Sequence, residues 1–279
     1  MSKNIDLFYY LKDRIIYGNY EKSIFWFKKH KGLDWNKGQN FGDYLSVVIT
    51  GELLRDNDLN FNKYDNVKNK ILGIGSVLHF ANNNDIIWGS GINGKVPFEK
   101  HTFENLDVRM TRGPLTSDKL FEMGISCPEN FGDPALLLPS LRPDLKRDLV
   151  KNKVIMLPNL NEMKKLTKIK IPKGIKLVSP INYWKYVVEE ILTSELVITS
   201  SLHGLILSEV YNVPAKFVKP FGGETFFKYE DYYEGTGRIL NNPKESFLDS
   251  INFKMGVNSS EPIFNPDKMI KSFPIEFFT

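Results

Sequence analysis

The sequence predicts an α/β fold in two halves, each built around a parallel sheet. Short apolar runs of strand length alternate with stretches whose apolar residues recur at helical spacing, the β-α-β rhythm from which parallel sheets are made. The run 196–199 shows no polar alternation, as expected of a strand covered on both faces. A charged, proline-bearing stretch at 139–152 marks the boundary, giving one domain over residues 1–145 and a second over 146–279.

Taken in order, residues 5–10 read as a first strand. Leu45, Val48, Ile49 and Leu53 place a helix over 44–54, with Asp43 suited to cap it by accepting N–H bonds from the first turn. Residues 70–78 and 85–92 are short buried strands that end in glycine-rich loops. Residues 108–121 pass from strand into helix, with Pro114 at the first helical position and Gly124 at the stop. In the second half, 153–157 and 175–179 are strands, and Trp184, Val187, Val188, Ile191 and Leu192 form a helical stripe. A strand at 196–199, a helix at 203–211 and a strand at 214–218 complete the half, with right-handed crossovers. Beyond residue 235 the periodicity weakens. A helix near 244–252 and an apolar end, 271–278, that packs onto the other half are expected.

Composition narrows the function. With 42% hydrophobic and 25% charged residues among 279, the chain is globular rather than disordered. A single cysteine, Cys127, excludes an internal disulfide framework. No apolar run has membrane-spanning length, and residues 1–10 lack the apolar core of a signal peptide, so a cytoplasmic location is expected. A net charge of +4 suits anionic small molecules or an anionic membrane face. The lysines are scattered (Lys28, Lys29, Lys31, Lys164, Lys165), which does not suit nucleic acid.

Ligands in open α/β sheets sit beyond the carboxyl ends of the strands, and in a two-domain chain those ends face a common cleft. Ser200-Ser201-Leu202-His203-Gly204 lies at such an end and opens a helix, whose free N–H groups and positive dipole hold anions. Ser200 or Ser201 caps the helix and leaves the other hydroxyl for a ligand. Gly204 permits close approach by a ligand or a neighbouring strand. Arg112, just before a helix, is suited to grip a ligand's carboxylate or phosphate through two parallel bonds, a role preferred here over pairing with a structural carboxylate; Arg109, three residues earlier, suits either role. Asn40-Phe41-Gly42-Asp43 and the Gly-Asp pair at Gly132-Asp133 are candidate ligand loops or plain turns. His79 is a candidate for the cleft wall, whereas His30 and His101 lack readable partners. No His, Cys and Asp grouping has metal-ligand spacing, and the Gly73-Ile74-Gly75 and Gly89-Ser90-Gly91 loops lack the third glycine of a dinucleotide fingerprint.

Together these residues resemble a known family. Asn40-Phe41-Gly42-Asp43, Ile74-Gly75-Ser76, Trp88-Gly89-Ser90-Gly91, the Arg112-Gly113-Pro114 motif, Phe131 to Ala135 and above all Ser200-Ser201-Leu202-His203-Gly204 are similar to the motif series of the polysaccharide pyruvyl transferases. Residues 226–233 are similar to that family's C-terminal region. The resemblance implies two Rossmann-like domains with parallel sheets facing a central cleft, in a GT-B-like arrangement. It implies transfer of a pyruvyl group from phosphoenolpyruvate to a sugar, forming a ketal and releasing phosphate. Phosphoenolpyruvate is the donor substrate, and no cofactor or metal is implied. Arg112 and His203 map to residues that engage the donor, and Asp43 to the acceptor side, with Asp43 and Asp133 the readable general bases. The expected partners are this donor and a sugar of a polysaccharide precursor, free or lipid-linked. A lipid-linked acceptor brings peripheral contact with the inner membrane face. The competing readings are a GT-B glycosyltransferase using a nucleotide sugar and a non-catalytic sugar- or anion-binding module.

Overall fold

Among the described residues, two four-stranded sheets, parallel throughout, organise the fold. In the computed structural model, residues 12–13, 15–16, 24–25, 40–61, 69–221, 223–247, 249 and 261–279 are described. The first sheet has the order β1 (Ile24–Phe25), β2 (Ile71–Leu72), β3 (Ile86–Trp88), β4 (Asp107–Met110). The second runs β6 (Ile175–Leu177), β5 (Val154–Leu157), β7 (Leu196–Thr199), β8 (Ala215–Phe217). The α/β class and its parallel sheets agree with the sequence. The strand expected at residues 5–10 lies outside the described residues, and the edge position is taken by β1, which the sequence reading did not identify.

Strands β2 and β3 are shorter than their apolar runs suggest, because glycine loops take over early. After β2 the chain turns at Gly75, whose φ of +113° lies in the region that favours glycine. All four residues of β7 are buried, which accounts for its unbroken apolar character.

Helix α1 (Phe41–Arg55) begins three residues before the expected start. Its cap is Asn40, whose side chain accepts from the Gly42 N–H at 3.1 Å, and not Asp43. That shift puts Asp43 in the first helical turn and frees its carboxylate for other work. Every residue from Phe41 to Leu54 is buried, the polar Asp43, Ser46, Thr50 and Glu52 among them. Such a helix has neighbours on every side: α1 packs on β1, on the turns around Pro134–Leu141 and on α3 (Trp184–Leu192) of the second half. Before α3 comes α2 (Pro114–Glu122), with Pro114 at its start and Gly124 (φ +79°) at its stop, as expected.

The second half continues with α4 (Leu202–Val210) and α5 (Phe227–Gly235). A helix near 244–252 was expected, but residues 241–247 are not helical, and 248 and 250–252 lie outside the described residues. Pro243 removes a helical donor, and the Lys219 N–H reaches the Glu245 carbonyl at 2.6 Å, drawing this segment beside the end of β8. The chain ends in α6 (Pro266–Lys271) and a final turn that returns to the first sheet. Trp88 Nε1 donates to the Met269 carbonyl at 3.1 Å and to Ser272 Oγ at 3.2 Å, and the Trp88 and Phe273 rings stand edge to face at 5.0 Å. One apolar cluster contains Ile71 and Trp88 of the first sheet, Ile155 and Val197 of the second, all the large apolar residues of α1, and Phe278. Among the described residues no helix is long and apolar enough to cross a membrane.

Candidate active site

Two helix N-termini from different halves meet at one cavity. The Phe41 N–H bonds to the Pro180 carbonyl at 2.8 Å, fixing the start of α1 against the second half. Opposite it, α4 begins at Leu202, capped by Ser201, whose Oγ accepts from the Gly204 N–H at 3.3 Å. The close approach depends on Gly42: a Cβ there would lie 2.1 Å from His203 Nδ1. Between the helices lies a cavity of about 310 Å³, walled by Asn40, Asp43, Ser76, His79, Ser201, Leu202 and His203 together with Asn93, Lys95, Asn159, Asn161, Glu224 and Lys228. Converging N–H groups and dipole ends make this a place for negative charge.

The cavity's titratable groups are coupled. Burial pushes the Asp43 carboxyl up to about 6, opposed by His203 and Lys228 and assisted by Asp133. Gly75 leaves room for this carboxylate, since a Cβ there would sit 2.8 Å from Asp43 Oδ1. His203 is 7% exposed, and its Nε2 stands 3.5 Å from Asp133 Oδ2. That separation is within ion-pair range but outside hydrogen-bond geometry, so both atoms are buried without a hydrogen-bond partner. The other Asp133 oxygen accepts from the Ala135 N–H at 2.9 Å, which fixes the carboxylate's orientation. A proton or an anion arriving at His203 therefore finds an aimed carboxylate behind the ring.

Other residues singled out in the sequence fall behind this wall. Arg112 is 1% exposed and fully occupied: Nε and Nη2 hold Asp231 at 2.9 and 2.8 Å, and Nη2 also donates to the Ile92 carbonyl at 2.9 Å. It reaches the cavity through Nη1, which donates to Ser76 Oγ at 2.6 Å. Gly91 gives the guanidinium its space, because a Cβ there would lie 2.4 Å from Arg112 Cζ. Ser90 Oγ donates to the Gly75 carbonyl at 2.9 Å, and Gly89 packs on Pro134, so both shape the loop rather than the wall. Ser200 has no free hydroxyl: it bonds Glu162 and accepts from the Asn159 N–H at 2.9 Å. Gly204 is required by a strand rather than a ligand, since a Cβ would approach Thr199 Oγ1 to 2.5 Å and Leu157 Cδ2 to 2.9 Å. Arg109 lies apart from the cavity, paired with Asp107 and Glu276.

Several residues at the site had no signal in the sequence. His101 proves to have a partner, its ring standing edge to face with His79 at 6.3 Å. Burial and then the charge of His101 lower the His79 imidazole. Lys95, Glu224 and Lys228 come from loop and helix-start positions with no periodicity to mark them. The Asn159 and Glu162 pair had a readable cue, an Asn followed three residues later by Glu, and it forms a capping box. Cys127 is a half-buried free thiol whose pKa burial pushes up, in keeping with a packing role. Among the described residues no group of three or more His, Cys, Asp or Glu side chains is placed to hold a metal ion.

Comparison with known proteins places this geometry in context. The family model for polysaccharide pyruvyl transferase matches residues 4–217. The succinoglycan biosynthesis protein ExoV of Rhizobium meliloti (strain 1021) is 28% identical over 178 residues, which cover 60% of this chain and 54% of that protein. The match thus spans about half the length of the curated relative. No solved structure matches the chain.

Proposed function

The chain belongs to the polysaccharide pyruvyl transferase family, and on that premise we propose that it moves the pyruvyl group of phosphoenolpyruvate onto two hydroxyls of a polysaccharide-precursor sugar. The observation that carries the proposal is His203 at the start of α4, backed by Asp133 and facing Asp43 across a cavity formed by two helix N-termini. The donor's phosphate and carboxylate fit such a place electrostatically.

In this scheme C3 of phosphoenolpyruvate takes a proton while an acceptor oxygen bonds to C2. A second acceptor hydroxyl then attacks C2, the bond from C2 to the phosphate oxygen breaks, and inorganic phosphate leaves. His203 is the proton donor or phosphate contact, with the Asp133 carboxylate 3.5 Å behind its ring. Asp43, pushed up to about 6, is ionised at neutral pH yet close enough to it to accept a hydroxyl proton. Arg112 contributes through Ser76, which it holds at the wall. His79 and Asn40 complete the acceptor side.

The same proposal treats the halves on either side of residue 145 as Rossmann-like domains in a GT-B-like arrangement. Its support is that each half carries its own parallel sheet. Work in the cytoplasm, or at the inner membrane face on a lipid-linked acceptor, goes with it. The test incubates the chain with phosphoenolpyruvate and a panel of free and lipid-linked saccharides. Acceptor-dependent phosphate release with a matching mass gain on the sugar is the expected result. Nucleotide release from a sugar nucleotide, with no phosphate from phosphoenolpyruvate, would replace this reading with glycosyl transfer.

A further inference from the structure

The cavity carries a positively charged wall that the reaction scheme leaves unused. Lys95 follows β3 in the first half, Lys228 lies in the first turn of α5 in the second, and Glu224 stands between them. Lys228 Nζ is 2.8 Å from Glu224 Oε2, while Oε1 receives Lys95 and also Asn161 Nδ2 at 2.8 Å. The Glu224 side chain is only 2% exposed. Burial by itself would raise its carboxyl, but Lys228 and Lys95 overcome this and hold it below the usual range.

A trianionic donor requires positive charge that can be released to it. Arg112 does not supply this, because Asp231 and the Ile92 carbonyl already occupy its guanidinium. Lys95 and Lys228 line the cavity, are held by a carboxylate, and carry rotatable ammonium groups that can change partners. A carboxylate bridging two ammonium groups has the charge and the oxygen geometry of the donor's own anionic ends. Lys228 is also close enough to act on Asp43, so the lysine wall and the reacting groups share one field.

We propose that Lys95 and Lys228 are the anion-binding pair of this cavity, and that Glu224 is a built-in counter-ion displaced by the donor's phosphate or carboxylate. The identity of the anion rests on the pyruvyl-transfer reading, whereas the existence of the anion site does not. The Lys95–Glu224–Lys228 chain ties the two halves together across the cavity. When the donor enters, both lysines turn to it and Glu224 is released.

The experiment is calorimetric titration of the full chain with phosphoenolpyruvate and, separately, with inorganic phosphate. Wild type is compared with Lys95→Met, Lys228→Met, Lys95→Arg and Glu224→Gln, each checked for its folded circular dichroism spectrum. Each Met variant should weaken binding by about tenfold or more, the usual scale for one charge-assisted contact. Lys95→Arg should keep most of the affinity. Glu224→Gln should bind several-fold tighter, because it removes the competitor and leaves the lysines in place. Unchanged affinity in both Met variants, weaker binding by Glu224→Gln, or no binding of either anion by wild type would overturn the proposal. Phosphate binding with the expected pattern, but without phosphoenolpyruvate binding, would uphold the anion site and remove the donor assignment.

Discussion

The facing atoms of His203 and Asp133, 3.5 Å apart and both buried, lack hydrogen-bond partners. Leaving polar groups in this state is costly, which marks the pair as arranged for function rather than for stability. His203→Ala should therefore lower turnover by about 10²–10⁴-fold, the range for a lost general acid, while the melting temperature stays near wild type. Phosphate release and a thermal melt read the two quantities separately. Asp43 gives a prediction with a definite sign in pH. Its folded value of about 6 lies above the ordinary 3.8, so its contribution to stability is complete below 3.8 and is lost as pH rises through 6. The loss at neutral pH is on the order of 3 kcal/mol. Asp43→Asn should then melt higher than wild type at pH 8 and close to it at pH 4, yet turn over poorly. Equal melting differences at both pH values would show that the carboxylate is not destabilised by burial. Arg112 shows how far single residues were legible: its position before a helix marked it as a grip for the anionic donor, whereas the structure gives its guanidinium a protein carboxylate, Asp231. Sequence spacing did not reveal that partner because it lies on α5, 119 residues away.

At the scale of elements, the sequence located α1 to α4 and most strands, because apolar faces must be buried and their spacing records which face that is, but it gave no sign of α5 or α6. It misplaced the cap of α1. Asn40 and Asp43 are both good caps, and the choice between them was made by the Phe41–Pro180 backbone bond to the other half. The two helix starts at the cavity were readable as anion-binding places, whereas the lysine wall, drawn from a loop and the first turn of α5, was not. Glycines at element contacts are a further case. Gly235 ends α5, and a Cβ there would lie 2.4 Å from the Arg112 carbonyl and 2.9 Å from Gly113 Cα. An alanine in a helix normally stabilises by about 1 kcal/mol relative to glycine. Here the backbone of the Arg112-Gly113 turn blocks it, and overpacking of this kind costs about 1–3 kcal/mol. Gly235→Ala should thus lower stability in a denaturant titration. It should also weaken activity through Ser76, which Arg112 positions.

Across the whole molecule, the sequence divides into halves more clearly than the packing does. A charged, proline-bearing stretch and two separate β-α-β runs suggest two independent cores, since sequence shows where the chain changes character but not what crosses the gap. The structure sends α1 of the first half against α3 of the second, and returns the chain end to Trp88. The principal apolar cluster therefore holds residues from both sheets, α1 and the final turn. Two cores would melt in two steps, but a shared one should unfold as a unit, so circular dichroism and tryptophan fluorescence should report coincident denaturant transitions. The same packing makes the C-terminal segment part of that unit. Removing residues 266–279 takes away the Met269 and Ser272 partners of the Trp88 indole and the Phe273 ring against it. It also removes Phe278, which lies edge to face with Phe61 at 6.0 Å. Losing two buried phenylalanines and Met269 corresponds to several large-to-small core changes, each worth about 2–5 kcal/mol, a sum comparable with the whole stability of a typical domain. The truncated chain should show red-shifted tryptophan emission and no cooperative transition. A truncation that still melts cooperatively near the wild-type midpoint would show that the two halves hold together without the returning end.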